Sequence, residues 1–75
     1  MTYRDLYDEV IMSGKYRSTP EKIKALAQRI YRSGFDGVET KSEAVWAALE
    51  RYEDMTGHFF DPTQDQFDSF EASIA

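Results

Sequence analysis

The amino-acid sequence predicts an all-α fold, a small bundle of three helices followed by a short C-terminal helix. Three observations predict it. Apolar residues recur every three or four positions, hydroxyl residues precede the recurring segments, and glycines follow most of them. The chain has 75 residues and no cysteine. It therefore forms one domain, 1–75, with a core near the smallest that folds without a disulfide or metal. Within that domain, 58–75 is predicted to be a semi-independent acidic and aromatic tail.

The first two helices have clear boundaries. The first is predicted to begin at the capping residue Thr2 and to run to about Ser13, with Gly14 as its stop. The second begins at Ser18–Glu21, where a hydroxyl cap precedes a proline whose missing N–H costs nothing at the first helical position. It ends at Gly34. The apolar stripe of the second helix is Ile23, Leu26, Ala27 and Ile30.

The third helix begins at Thr40, three residues before Glu43, and at this spacing each side chain can bond the other's backbone N–H. It is predicted to end near Gly57. A fourth, short helix is predicted after a cap at 61–64, and it must dock on the rest of the chain because isolated helices this short are unstable. The apolar face of the third helix is Val45, Ala48, Leu49 and Tyr52, with Trp46 on one flank. That of the fourth is Phe67, Phe70 and Ile74.

Charge is distributed unequally along the chain. Residues 15–32 hold six basic side chains and one acid, whereas 33–75 hold ten acids and two basic residues, within a net charge of −5. The simpler interpretation pairs the basic second helix with the acidic third helix, and the alternative is a phosphate-binding surface. The basic residues are Lys15, Arg17, Lys22, Lys24, Arg29 and Arg32.

Enzyme motifs are missing from the sequence. It has no glycine-rich phosphate loop, no Gly-x-Ser-x-Gly turn and no thiol nucleophile. His58 stands near Asp54 and Asp61, but a single histidine beside phenylalanines is more often a packed or capping residue than a metal ligand. Asp61, Asp65 and Asp68 lack the spacing of a calcium-binding EF-hand loop and are interpreted as a solvated acidic face. We therefore expect no enzyme activity, no metal and no cofactor.

The sequence also predicts where the protein resides. It has no apolar run long enough to span a membrane, and its start lacks the apolar segment of a signal peptide. We therefore expect a soluble, cytoplasmic protein that does not engage a membrane.

The aromatic side chains are predicted to lie mostly in the core, because a small domain needs large side chains to bury enough area. Phe67 and Phe70 alternate with acids and suit a core or a partner-binding surface equally well. The residues assigned mostly to the core are Tyr3, Tyr7, Phe35, Trp46, Tyr52, Phe59 and Phe60.

The acidic second half predicts a small non-enzymatic regulator that binds another protein. One specific form is an inhibitor whose acidic face imitates nucleic acid and binds a nucleic-acid-handling partner. Small acidic accessory proteins of phages and plasmids resemble the chain in size and charge balance, which is an analogy only. The predicted partner-binding residues are Glu50, Glu53, Asp54, Asp61, Asp65, Asp68, Phe67 and Phe70. Further contact charges of such a mimic are Glu39, Glu43 and Glu71.

A second hypothesis comes from the start of the third helix, where Lys41 to Leu49 reads KSEAVWAAL. Over 12–53 the chain resembles a ribbon-helix-helix regulator, whose second helix often opens with Ser-Glu-(Ala/Val/Ile)-(Ile/Val). The resemblance implies a DNA-binding homodimer with a strand at 12–18, in which Ser13 joins two basic residues at the base edges. It also implies a phosphate contact at the start of the third helix. The nucleic-acid-binding residues of this alternative are Lys15, Arg17, Thr40, Lys41 and Ser42.

Overall fold

The structure is a computed structural model that describes residues 2–74, and these residues form helices and turns but no strand. The first helical segment begins as one α-helical turn and continues as a π-helix. Two longer α-helices follow, joined by a 3-10 turn, and a short α-helix comes last. The elements are α1 (Tyr3–Leu6), the π-helix (Tyr7–Met12), α2 (Thr19–Ser33), the 3-10 turn (Phe35–Gly37), α3 (Lys41–Thr56) and α4 (Gln64–Ala72). The predicted all-α class is confirmed.

Each α-helix begins after a hydroxyl side chain that accepts a backbone hydrogen bond. At α2, Ser18 Oγ accepts from the N–H of Glu21 at 3.2 Å. At α3 the arrangement is reciprocal, since Thr40 Oγ1 accepts from the N–H of Glu43 and Glu43 Oε1 accepts from the N–H of Thr40, both at 3.1 Å. The same reciprocal arrangement opens α1 and α4. A cap of this kind stabilises a helix by about 1 kcal/mol, so these local signals fix where the helices start.

Glycines in the left-handed conformation end the two longer helices. Gly34 follows α2 with φ 67°, and Gly57 follows α3 with φ 77°. This conformation turns the N–H of the glycine back onto the last helical turn, and the N–H of Gly57 donates to the carbonyl of Glu53 at 2.8 Å. Glycine adopts it without the steric cost that a Cβ atom brings. Both ends lie where the sequence predicts them.

The hydrophobic core lies between α2 and α3, and the first and last segments close it. Ile23 and Ile30 of α2 form one buried cluster with Val45 of α3. Burying a side chain of this size contributes about 1.5–3 kcal/mol, so the cluster is the main source of stability. The first and last segments contribute Leu6, Val10, Phe70 and Ile74 to the same cluster.

The first helical segment covers the predicted length but differs in type. Only Tyr3–Leu6 is α-helical, and Tyr7–Met12 has the wider i to i+5 hydrogen-bond pattern of a π-helix. Leu6 and Val10 are both fully buried. Over two turns, this spacing of apolar residues fits an α-helix and a π-helix equally, so the sequence pattern does not distinguish them.

The strand implied at 12–18 is not present in the described structure, and that prediction is wrong. Met12 ends the π-helix and is exposed. Gly14 then turns the backbone into the left-handed region with φ 72°, and the chain is irregular from there to Ser18. A helix that runs to Met12, followed at once by a left-handed residue, leaves no extended run for a strand.

The aromatic residues divide between core and surface differently from the prediction. Tyr52 and Phe70 are buried, but Trp46 is 54% exposed and Phe59 is 56% exposed. Successive residues of a helix are about 100° apart. Val45 points into the core, so the side chain of Trp46 falls beside the buried face, on the solvent side. The prediction of a core position is therefore wrong for Trp46 and Phe59.

Candidate protein-binding surface

The solvent side of α3 carries an acidic stripe that contains one tryptophan. Glu43, Trp46, Glu50 and Glu53 are three or four residues apart, so their side chains lie on the same side of the helix. All four are exposed, whereas Tyr52 on the opposite side is buried. Glu43 is engaged in the helix cap. The carboxylates of Glu50 and Glu53 have no ion-pair partner among residues 2–74.

Trp46 also forms one wall of a groove between α3 and the start of α4. Its ring lies 5.3 Å from the ring of Phe67, centroid to centroid, at an interplanar angle of 51°. The groove has a volume of about 320 Å³. It is lined by Trp46, Phe67 and the loop residues Asp61, Pro62, Thr63 and Gln64. Two aromatic rings and one carboxylate therefore surround a solvent-open space.

Together these residues make a candidate binding surface, which we call the acidic Trp face. Its members are Trp46, Glu50, Glu53, Asp61 and Phe67. Glu50 and Glu53 extend it along α3, and Asp61 bounds it on the loop side. Exposed tryptophan within a ring of charged residues is the composition of many protein-binding hot spots.

The other predicted partner-binding residues lie elsewhere. Asp65 and Asp68 are exposed on α4, and Asp68 accepts a hydrogen bond from Gln64 Nε2 at 3.0 Å. Asp54 is drawn toward the first helix, because the hydroxyl of Tyr3 donates to it at 3.3 Å. Phe70 is 1% exposed and packs in the core. Phe70 therefore has almost no area to offer a partner, and its assignment to the surface is corrected.

The basic residues of 15–32 do not pair with α3. Among residues 2–74, the one ion pair made by this group joins Arg29 Nε to Glu9 Oε2 at 2.8 Å, and Arg29 also donates to the hydroxyl of Tyr16 at 3.3 Å. Partial burial lowers the pKa of Arg29, but these hydrogen bonds outweigh it and leave the pKa raised. The predicted pairing with the acids of the third helix is wrong, because the first helical segment packs beside α2 and supplies Glu9.

A groove of about 420 Å³ lies beside this pair. It is lined by Tyr16, Arg29 and Arg32 among other polar residues. The guanidinium of Arg29 is already neutralised there by Glu9, so the groove offers a bound anion only the charge of Arg32.

Sequence reasoning missed a second aromatic cluster, which holds Arg51. The guanidinium carbon of Arg51 lies 4.3 Å from the ring centroid of Tyr3 and 5.6 Å from that of Phe35. Its Nε donates to Asp36 Oδ2 at 2.9 Å, and a second nitrogen donates to Oδ1. These hydrogen bonds raise the pKa of Arg51 against the opposing effect of partial burial. The signal in the sequence is that Arg51 is one of only two basic residues after position 32.

The residues of the DNA-binding alternative lie on two different elements, an irregular segment and the start of α3. Lys15 and Arg17 are exposed on the irregular segment after the π-helix. Thr40 caps α3, and Lys41 and Ser42 are its first two residues. The Glu43 carboxylate already accepts hydrogen bonds from the Thr40 N–H and the Thr40 hydroxyl. A phosphate binding at this helix end would compete with that internal carboxylate.

The metal hypothesis at His58 gains no support from the geometry. Within residues 2–74, no three or more His, Asp or Glu side chains come close enough together to hold a metal ion. His58 is exposed after α3, and its backbone N–H donates to Thr56 Oγ1 at 3.3 Å.

Among residues 2–74, no helix has the length and apolar character needed to cross a membrane.

Comparisons of the chain with protein-family models, with curated proteins and with solved structures give no match. What the protein does must therefore be inferred from its own surface.

Proposed function

We propose that the protein is a small non-enzymatic regulator that acts by binding another protein through the acidic Trp face and the exposed acids of α4. The observation that supports this most is the exposure of Trp46, which is 54% accessible although a small domain gains most by burying its largest side chains. Glu50 and Glu53 flank it without internal ion pairs in residues 2–74. A partner that covers the tryptophan gains apolar burial, and the acids select one with basic residues.

The specific form of the proposal is an inhibitor that imitates nucleic acid. Six predicted contact acids are exposed, on α3, on the loop before α4 and on α4 itself. With a net charge of −5, the molecule attracts a basic groove over a distance, and the attraction falls as salt is added. The six acids are Glu50, Glu53, Asp54, Asp61, Asp65 and Asp68.

The test is a charge reversal followed by a direct binding measurement. A partner is first isolated on the immobilised chain, purified, and titrated against wild type and the triple variant Asp61→Lys, Asp65→Lys, Asp68→Lys by calorimetry. The triple variant should abolish binding. The single variants Asp61→Lys and Asp8→Lys change the net charge equally, and only the first should weaken binding. Asp8 is a suitable control because its 3.9 Å pair with Arg4 is largely exposed and contributes little.

Competition distinguishes the mimic from ordinary protein binding. If the acids imitate phosphates, duplex DNA or RNA should displace the protein from its partner in proportion to concentration. A partner that binds with unchanged affinity to the triple variant would reject the proposed function altogether.

The competing proposal is a dimeric DNA-binding regulator that uses Lys15, Arg17 and the start of α3. The KSEAVWAAL opening of α3 favours it. Because residues 12–18 form no strand, this alternative keeps only the DNA contacts and the dimer that the resemblance implies, and light scattering at micromolar concentration should give twice the chain mass. Binding to a specific duplex should then weaken with salt with a slope of several units. A monomer that binds no duplex excludes this alternative, whereas a dimer with that salt slope excludes the acidic inhibitor.

A further inference from the structure

The Arg51 cluster shows what this chain does with two aromatic rings and an aspartate. The rings of Tyr3 and Phe35 lie 6.3 Å apart at an interplanar angle of 63°. The guanidinium of Arg51 lies over both rings, and Asp36 accepts two of its N–H groups. The rings bind the flat cation by cation–π attraction, and the carboxylate fixes its direction.

The groove of the acidic Trp face contains the same three components. Trp46 and Phe67 lie 5.3 Å apart at 51°, and Asp61 lines the same groove. Here, however, no Lys or Arg of residues 2–74 lies over either ring or pairs with Asp61. The groove thus holds the components of a cation site, and the described part of the chain does not supply the cation.

We propose that this groove binds an arginine side chain from the partner protein. Tryptophan is the aromatic side chain that attracts cations most strongly. A guanidinium stacks on a ring and bonds a carboxylate with two N–H groups, which a lysine ammonium does not do. The groove volume of about 320 Å³ is at the small end for a ligand pocket and suits one long side chain.

The surroundings of the groove indicate that the arginine belongs to a basic protein segment. Glu50 is one turn along α3 from Trp46, and Glu53 is one turn further. A segment that places its arginine against the exposed ring of Trp46 and continues along α3 brings its next cations beside these carboxylates. This inference rests on the proposed function and adds the chemistry of the group that is recognised.

The test uses the single tryptophan, Trp46, as its own reporter. The probes are a pentapeptide with a central arginine between lysines and the all-lysine pentapeptide of the same charge. At low salt, the arginine peptide should change the Trp46 emission and bind about three- to tenfold more tightly than the lysine peptide. A third peptide with citrulline, the neutral isostere, in place of arginine should bind more weakly than both.

Variants locate the effect in the groove. Asp61→Asn should remove the preference for arginine over lysine, and Phe67→Leu should reduce it. Phe59→Leu is the control for the same substitution outside the groove, because Phe59 is an exposed phenylalanine that does not line the groove. Circular dichroism verifies that each variant is folded.

The outcomes separate this inference from the proposed function. Equal affinity for the arginine and lysine peptides, or an arginine preference that survives Asp61→Asn, overturns the arginine site. If the triple reversal at Asp61, Asp65 and Asp68 still abolishes partner binding in that case, the acidic surface stands and only its recognised group is wrong. If the arginine preference holds while the purified partner ignores the triple reversal, the proposed function fails instead.

Discussion

Two pairs of aromatic rings in this molecule are built from the same components and differ in what they hold. Tyr3 and Phe35 enclose Arg51, which is tied to Asp36. Trp46 and Phe67 lie beside Asp61 and face solvent. The first pair joins α1, the 3-10 turn and α3, so its cation is used to hold the fold together. The second joins α3 and α4 and leaves its carboxylate for an outside group.

The position of each cluster on α3 explains the difference. Arg51 and Trp46 are five residues apart, which places them about 140° apart around the helix axis. Arg51 points toward the first helix and the 3-10 turn, where it contacts Tyr3 and Asp36, and its side chain is 25% exposed. Trp46 points away from both. One helix thus presents a structural cation site on one side and a candidate binding site on another.

The largest effect is expected at the two phenylalanines of α4. Phe70 lies in the core, whereas Phe67 lines the groove. Phe70→Ala should destabilise the protein by about 3–5 kcal/mol because it leaves a cavity in the core. Phe67→Ala should cost less, about 1–2 kcal/mol, since its ring is only partly buried and contacts Trp46 at the edge of the core. Urea unfolding measures both, and equal losses would contradict the division of roles on α4.

The next largest effect tests the internal cation site. Arg51→Met should destabilise the protein by about 1–3 kcal/mol, because it removes two cation–π contacts and the charged hydrogen bonds to Asp36. Arg51→Lys should be destabilised less than Arg51→Met but remain less stable than wild type, because an ammonium does not form the paired hydrogen bonds of a guanidinium and does not stack on the rings. Asp36→Asn is the matched control for the carboxylate, because asparagine tolerates the left-handed conformation at φ 62°. Thermal unfolding compares the three, and a neutral Arg51→Met would show that the cluster is not structural.

Trp46→Ala should change stability far less than a core substitution. Its ring is more than half exposed, and the contact with Phe67 contributes about 0.5–1.5 kcal/mol. The melting temperature should therefore fall by roughly 2–12 °C, since 1 kcal/mol corresponds to about 4–8 °C for a domain of this size. A loss as large as that of Phe70→Ala would place Trp46 among the core residues and remove it as a surface anchor.

The smallest effect is a pH dependence at the start of α1, which carries the Tyr3 ring of the internal site. The hydrogen bond from the Thr2 backbone lowers the pKa of Asp5. A lowered folded-state pKa stabilises the protein above the ordinary carboxyl value of about 4, and the contribution is lost as the pH falls through the folded-state value. Asp5→Asn should therefore be less stable than wild type at neutral pH, and the difference in the free energy of unfolding between the two proteins should disappear in acid. Urea midpoints between neutral and strongly acidic pH measure it.

The helix boundaries were predictable because their causes are local. A cap such as Ser18 or Thr40 bonds a residue three positions away, so both partners are visible in the sequence. The α4 start was predictable for the same reason. The type of the first helix was not, because the spacing of Leu6 and Val10 fits both helix types.

The candidate site was predictable in its charge but not in its geometry. The exposure of Glu50, Glu53 and Asp61 follows from their charge. Which of Phe67 and Phe70 faces inward depends on how α4 docks on the other helices, and both fit the same apolar stripe. The pairing of Arg29 with Glu9 depends in the same way on where the first segment packs. These are contacts between residues distant in sequence, which periodicity alone does not reveal.

The left-handed glycines that end α2 and α3 make the chain sensitive to the chirality of a single methyl group. An L-alanine at Gly34 or Gly57 would meet no atom within 4 Å. Its cost, about 1–2 kcal/mol, would therefore come from the backbone conformation alone. D-alanine prefers the mirror-image region, and both positions are exposed. Chemical synthesis with D-alanine at either position should thus raise stability by about 0.4–1 kcal/mol, since it restricts the unfolded chain without opposing the turn.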